Sequence, residues 1–314
     1  MIRYVIHKTV FTIGVLIGIT FITFVLTFVV PSDPARALAG IQADEISLTA
    51  LRKELGLDRP LYIQYLDFLK RALKFDIGRS YVTNREVKSL IAERFKATFK
   101  LALFAITFAV ISGITLGTLS AYMDNKTFSR CIISTSVFFA SVPVFFLGLI
   151  ISLFFGSFLK LFPIGGYGSG IEGIKYMILP GITLGVYPAA LITRLTAVSL
   201  HGIMESDYIR THFAMGHKRL RIISVYALKN AMVSILTVAG NSIATLLTGT
   251  FFVEYIFSWP GIGLLWVDSI LRYDFPVIIG VVMFSASVFV IISMIVDLLY
   301  PLFDPRMKGA TVVK

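Results

Sequence analysis

The stretch Met204-Glu205-Ser206-Asp207-Tyr208-Ile209-Arg210-Thr211-His212-Phe213-Ala214-Met215-Gly216, continued by His217-Lys218-Arg219-Leu220-Arg221, is a polar interruption between two long apolar runs. No Asp, Glu, Lys or Arg occurs between Lys175 and Arg194 before it, or between Lys229 and Glu254 after it. Runs of roughly 17–25 apolar residues are what a helix needs to cross a hydrocarbon core of about 30 Å. A segment of mixed charges and aromatics between two such helices adds nothing to their stability in a bilayer. It reads as a docking surface in the aqueous phase.

Further charge-free runs lie between Lys8 and Asp33, Lys100 and Asp124, Arg130 and Lys160, and Asp274 and Asp297. The chain is 56% hydrophobic and only 15% charged, with a mean hydropathy of +0.84, a composition of polytopic membrane proteins rather than soluble domains. The reading is an all-α fold with six transmembrane helices. In the long third run, Pro143 is a candidate kink and Phe162-Pro163 a candidate end outside the core. The chain divides into the N-terminus and first helix (1–30), an extracytoplasmic segment (31–98) and a core of helices two to six (99–314), which includes a cytoplasmic loop, 201–231. A cleaved signal peptide is the competing reading of the first run. Its apolar length exceeds the roughly 7–15 residues of a signal core, and Pro31 and Pro34 break the region before a cleavage site, so an uncleaved helix is expected.

Orientation follows from the short loops. With the N-terminus inside, the inner segments carry Arg3, Lys8, Lys126, Arg130, Arg210, Lys218, Arg219, Arg221, Lys229, Arg306, Lys308 and Lys314, and the short outer loops only Lys160, Lys175 and Arg272. That asymmetry is the positive-inside pattern, and it places both termini in the cytoplasm of a cell-membrane protein. The net charge of +11 follows from this topology and a mildly basic outer segment, and no nucleic-acid partner is expected. Cys131 stands alone, so no internal disulfide forms.

The segment 31–98 carries helical signals. Ser47 to Leu55 ends at Gly56, a helix stop, and Tyr62, Tyr65, Leu66, Leu69 and Leu73 recur at helical spacing behind Pro60, a residue suited to a helix start. Phe75-Asp76-Ile77-Gly78-Arg79-Ser80 reads as a turn. A lid of short amphipathic helices and a platform for an external partner are both consistent with this pattern.

Enzyme chemistry finds no footing. His7, His201, His212 and His217 show no metal-ligand spacing within an apolar helix, and no metal is expected. No Gly-x-x-x-x-Gly-Lys-Ser/Thr loop is present to cradle ATP phosphates. Glycine-flanked Ser169 lies on the outer side, where no His is available as a base. No carboxylate sits in mid-span as a proton-coupled carrier would require. Asn241, Thr245 and Thr248 fall near one face of the fifth span. Together with Ser141 in the third span and Glu254 at the end of the fifth, they are candidate lining for the path of a hydrated solute. Close helix packing through small polar residues is the competing reading. Trp259 in the turn Ser258-Trp259-Pro260-Gly261 suits an interfacial anchor at the external mouth.

The stretch Glu205 to Ala231 resembles the EAA loop of ABC-importer permeases, in the form carried by the oligopeptide, dipeptide and nickel branch. Asp207-Tyr208-Ile209-Arg210-Thr211, then Ala214 and Gly216, then Ala227-Leu228-Lys229-Asn230-Ala231 carry that resemblance. Leu55-Gly56-Leu57-Asp58-Arg59-Pro60-Leu61 with Gln64-Tyr65, Asp76 to Ser80, Glu254 to Gly263, and Asp304-Pro305-Arg306 resemble other blocks of the same family in the same order. His212, Phe213, Met215 and Tyr226 depart from its usual Ala, Arg, Lys and His, and Phe95-Lys96 from its usual Leu-Pro.

The resemblance implies a type I ABC importer permease fold. It implies a coupling helix that docks on an ATPase through Glu205, Asp207, Tyr208, Ile209, Arg210, Thr211, Phe213, Ala214 and Gly216, with Tyr208, Ile209 and Phe213 as apolar anchors. It further implies a homologous second permease, two ATPase subunits that hold ATP and magnesium, an extracytoplasmic solute-binding protein, and no cofactor in this chain. Peptides are the expected solute, with oligosaccharides and nickel chelates as alternatives. A self-contained channel or ion-coupled carrier is the rival of another class.

Overall fold

A computed structural model of the chain describes residues 2–25, 45–54, 58–74, 76–123, 125–168, 170–248 and 250–303. The expected stop at Gly56, the prolines 31 and 34, Ser169 and the terminal Asp304-Pro305-Arg306 lie outside these. Among the described residues the regular secondary structure is helical apart from one isolated bridge between Arg79 and Glu86. The helices are α1 (Ile2–Phe24), α2 (Glu45–Glu54), α3 (Leu61–Leu73), α4 (Val87–Tyr122), α5 (Lys126–Ser141) and α6 (Val144–Ile151), which widens into a π-helical stretch, Ser152–Phe158. Then follow α7 (Gly170–Met204), α8 (Asp207–Ala214) and α9 (Arg219–Arg221), which runs through a π-helical Ile222–Ala227 into α10 (Leu228–Thr248). Short α11 (Phe251–Ile256) and α12 (Ile262–Leu271) precede the long α13 (Phe275–Phe303).

Four helices are long and apolar enough to cross a membrane, and six spans result if each of two bent pairs counts as one. The third span is the sharper case, with α5 and α6 meeting at 104°. Val142 takes extended angles (φ −77, ψ 128), the conformation that a following proline favours, and Pro143 opens α6. The fourth span, α7, contains Pro180 and Pro188 yet stays one helix. The second helix begins earlier than its charge-free run, because Val87 already starts a 36-residue helix of about 54 Å. That length lets α4 reach from one end of the bundle to the other.

The centre of the bundle is the pair of α4 and α7, which run in the same direction. Glycines let the two backbones approach. A Cβ on Gly113 would lie 2.7 Å from Ile192 Cβ, one on Gly117 2.7 Å from the Thr193 carbonyl, and one on Gly185 2.7 Å from the Ala105 carbonyl. The spacing of four on α4, matched by Gly181 and Gly185 on α7, is the small-residue seam by which membrane helices pack. Leu101, Ala105, Ala109, Ile192 and Leu200 fill the seam and are fully or nearly fully buried.

Helix α1 lies at the periphery, where α3 covers its end. Tyr65 packs edge-on against Phe21 and Phe24, with ring centroids 5.6 and 5.4 Å apart, and its hydroxyl is 3.1 Å from Thr20 Oγ1. The apolar spacing behind Pro60 thus forms the expected helix, and that helix is a lid on α1. The turn at Asp76 to Ser80 is tied down as well. Buried Asp274, just before α13, accepts from the Ser80 hydroxyl and from the Tyr81 N–H at 3.1 Å.

Candidate functional site

At the end of the bundle where α7 stops, the polar stretch folds into α8. Ser206 takes extended angles, the chain re-enters a helix at Asp207, and the helix closes after Ala214. Gly216 then adopts φ +79. Its N–H donates to Phe213 O at 2.9 Å and the His217 N–H to His212 O at 3.2 Å, the paired bonds of a Schellman stop. Glycine suits this position because a side chain at that φ is strained.

Ile209 is the residue that seats α8. It is 0% exposed and belongs to the same buried cluster as Leu200, Ile222, Ile223 and Ala227. Its expected role as an anchor for a partner is therefore corrected: it anchors α8 to its own chain. Phe213 and Met215 face outward, 45% and 66% exposed, and Tyr208 is partly exposed. The Asn230 amide donates to the Tyr208 hydroxyl at 2.7 Å, joining α8 to α10. Asp207 and Arg210 form an exposed pair at 3.2 Å, which at this exposure is worth little. Thr211 returns its hydroxyl to Asp207 O, and Glu205 and Ala214 are exposed.

A ring stack adds a second tie. His212 on α8 lies on Tyr226, centroids 3.9 Å apart at 22°, and His217 stands 5.5 Å from His212 and 5.7 Å from Tyr226. Sequence reasoning missed this contact, although positions 212 and 226 are both among the departures from the resembled pattern.

The candidate path residues divide. Asn241 and Thr245 are exposed on one face of α10, and Thr248 is half-buried at the edge of an apolar cavity of about 540 Å³ between α1, α10 and α13. Ser141 ends α5 and returns its hydroxyl to Val137 O at 2.9 Å. Glu254 is turned away from any opening, at 0% exposure. Its Oε1 accepts from Thr98 and Thr250 hydroxyls at 2.7 and 2.9 Å, and its Oε2 from the Gly263 and Leu264 N–H groups at 2.7 and 3.2 Å. The Ile262 N–H donates to Thr98 Oγ1 at 2.9 Å. One carboxylate and one hydroxyl thus cap the first three N–H groups of α12, where a negative charge also suits the helix dipole. Glu254 holds α4, α11 and α12 together, and a side chain at Gly261 would collide with its carboxylate. Trp259 is not an interfacial anchor either. It is 2% exposed and donates its indole N–H to Ala97 O at 3.0 Å. No group of three or more metal-ligating side chains occurs among the described residues.

The described helices form a bundle with four to six candidate membrane spans and a short helix held against one end. The chain belongs to the binding-protein-dependent transport system inner membrane component family, whose model matches residues 113–309; the model of that family's N-terminal region matches residues 1–102. It is 35% identical to a dipeptide transport system permease protein of Alkalihalophilus pseudofirmus, over 98% of this chain and 100% of that protein. It is 33% identical to the dipeptide transport system permease protein of Escherichia coli, over 98% and 99% of the two chains. A putative peptide transport system permease protein of Brucella abortus is 35% identical over 94% of this chain and 96% of its own. Among solved structures, a chain of the MetNI methionine ABC transporter in an inward-facing conformation matches with a TM-score of 0.52 at 16% identity, over 69% of this chain and 97% of that one. The fold is that of an ABC importer permease, as the sequence resemblance implied.

Proposed function

We propose that this chain is one transmembrane half of an ATP-driven importer of peptides, coupled to a cytoplasmic ATPase through α8. Family membership supports the importer class, and relatives named as dipeptide and peptide permeases support the solute. The coupling role rests on one observation. Helix α8 is fixed to its own bundle by buried Ile209 and by the Tyr208–Asn230 bond, yet it offers Phe213 and Met215 outward. Phe213 in the last turn of α8 and Met215 just after it form an exposed apolar pair, the form a helix-in-groove contact takes. Movement of a docked partner then passes into α7 and α10 as rigid-body motion.

In this reading a homologous second permease completes the path, two ATPase subunits hold ATP and magnesium, and a solute-binding protein delivers cargo from outside. Both termini and α8 face the cytoplasm, in keeping with the basic inner loops. The exposed Asn241 and Thr245 face of α10 lines the path. The test is calorimetry of the cognate binding protein with di- and oligopeptides, oligosaccharides and nickel chelates, followed by uptake into vesicles holding the whole importer. Peptide binding with ATP-dependent peptide uptake is expected. Selective binding and uptake of a sugar or a chelate reassigns the solute. Uptake without any ATPase subunit defeats the importer reading.

A further inference from the structure

Beside α8, the ends of α4 and α7 and the start of α5 enclose an open basin of about 440 Å³. Its charged lining comes from separate stretches of the chain: Lys126 and Arg130 on α5, His201 on α7 and Arg219 on α9, against the single carboxylate of Glu205. Among the described residues that line the basin, three permanent cations therefore face one carboxylate. Among the described residues neither Lys126 nor Arg130 forms an ion pair. Arg219 is held in place. Its Nη2 donates to Ala121 O at 3.2 Å, and its guanidinium carbon lies 5.9 Å from the centroid of the Tyr122 ring. His201 Nδ1 is 2.7 Å from Ala197 O, so Nε2 is the ring atom left for a ligand.

The basin lies where α4 and α7, both long and apolar enough to cross a membrane, come to their ends. A helix that crosses a hydrocarbon core of about 30 Å emerges among the lipid headgroups, which puts the ends of such helices within reach of lipid phosphates. We infer that this basin is a binding site for a phosphate-bearing anion, supplied by the headgroup of an anionic phospholipid. Planar guanidinium groups match phosphate oxygens two at a time, and a lysine adds a point charge. Basic pockets between the ends of membrane helices take such headgroups, and each cation near the surface contributes to the selectivity. Scattered solvated cations would satisfy the positive-inside pattern without a concavity and without an arginine tied down by a carbonyl. A headgroup held by Lys126, Arg130 and Arg219 bridges α5 to the stretch that follows α8.

The test is native mass spectrometry of the purified importer complex, offered phosphatidylglycerol and phosphatidylcholine in equal amounts. The wild type is expected to retain phosphatidylglycerol in preference. Lys126→Ala with Arg130→Ala should lower that retention roughly tenfold or more, while Lys160→Ala with Lys175→Ala, at the other end of the bundle, leaves it unchanged. Arg219→Lys keeps the charge and loses the fork, so it should retain intermediate binding, which guards against a misfolded double variant. Equal retention by the wild type and the double variant overturns the inference. Displacement of the lipid by millimolar inorganic phosphate overturns its assignment to a lipid in favour of a free anion. Loss of the ATPase subunits from the double variant with phosphatidylglycerol retained gives the basin to a protein partner and also overturns it. The binding readout needs no transport, so it fails or succeeds independently of the proposed solute.

Discussion

His212 lies face to face on Tyr226, with ring centroids 3.9 Å apart and planes inclined by 22°. The pair joins α8 to the π-helical start of α10, a few residues from the buried Ile209 and the Tyr208–Asn230 bond. Three separate contacts therefore keep α8 from turning on its own axis. A helix held this way transmits displacement, where a loosely tethered one would absorb it.

The stack itself is open to a double-mutant cycle. His212→Ala and Tyr226→Leu should each lower the stability of the assembled importer, with a coupling energy of about 0.5–1.5 kcal/mol between them. Thermal unfolding of the complex measures it. Strict additivity of the two changes means that the rings do not support one another.

Gly216 should tolerate Asn better than Ala, and Ala better than Val. At φ +79 nothing lies within 4 Å of where a Cβ would stand, so the cost is backbone strain rather than collision. Strain of about 1–2 kcal/mol is expected for Ala and more for the β-branched Val. Uptake assays across the three variants check the order, and equal activity of Val and Asn would show that the turn can relax.

Much of this was legible from the residues. Charge-free runs gave the spans, because a hydrocarbon core tolerates few charges whatever the neighbours. The break at Pro143 followed from backbone chemistry local to that position. What escaped were contacts between distant stretches. Glu254 read as lining for a solute path, since a carboxylate at the end of an apolar run looks exposed. Only the fold brings it against Thr98 and the first N–H groups of α12. Ile209 looked like an outward anchor because an eight-residue helix gives no clear apolar face until its neighbours are known. Asp274, which clamps the turn at Ser80, had no local signature at all.

Glu254→Ala should destabilise the junction of α4, α11 and α12 by about 2–4 kcal/mol. It strands two N–H groups at the start of α12 and the hydroxyls of Thr98 and Thr250. Glu254→Gln keeps one acceptor oxygen and should cost less. Detergent-resistant yield and thermal midpoint of the purified subunit rank the variants. An unchanged midpoint for Ala would place the cap's contribution elsewhere.

Gly117→Leu should prevent assembly of the core, because its side chain would enter the backbone of α7 at Thr193. Overpacking commonly costs about 1–3 kcal/mol, and a collision with backbone costs more than one with a flexible side chain. Gly14→Leu on peripheral α1, where nothing lies within 4 Å, is the matched control and should express normally. Similar yields from both would mean that α4 and α7 are not the tight pair described.

The most direct test of the account is stimulation of ATP hydrolysis by solute-loaded binding protein in the reconstituted importer carrying Phe213→Asp. The account predicts that the variant subunit inserts and pairs normally while stimulated hydrolysis and uptake fall together. Burying an unpaired carboxylate in a partner's groove costs several kcal/mol, and Phe213→Leu should restore both activities. Wild-type stimulation and uptake by Phe213→Asp would contradict the claim that α8 couples this permease to an ATPase.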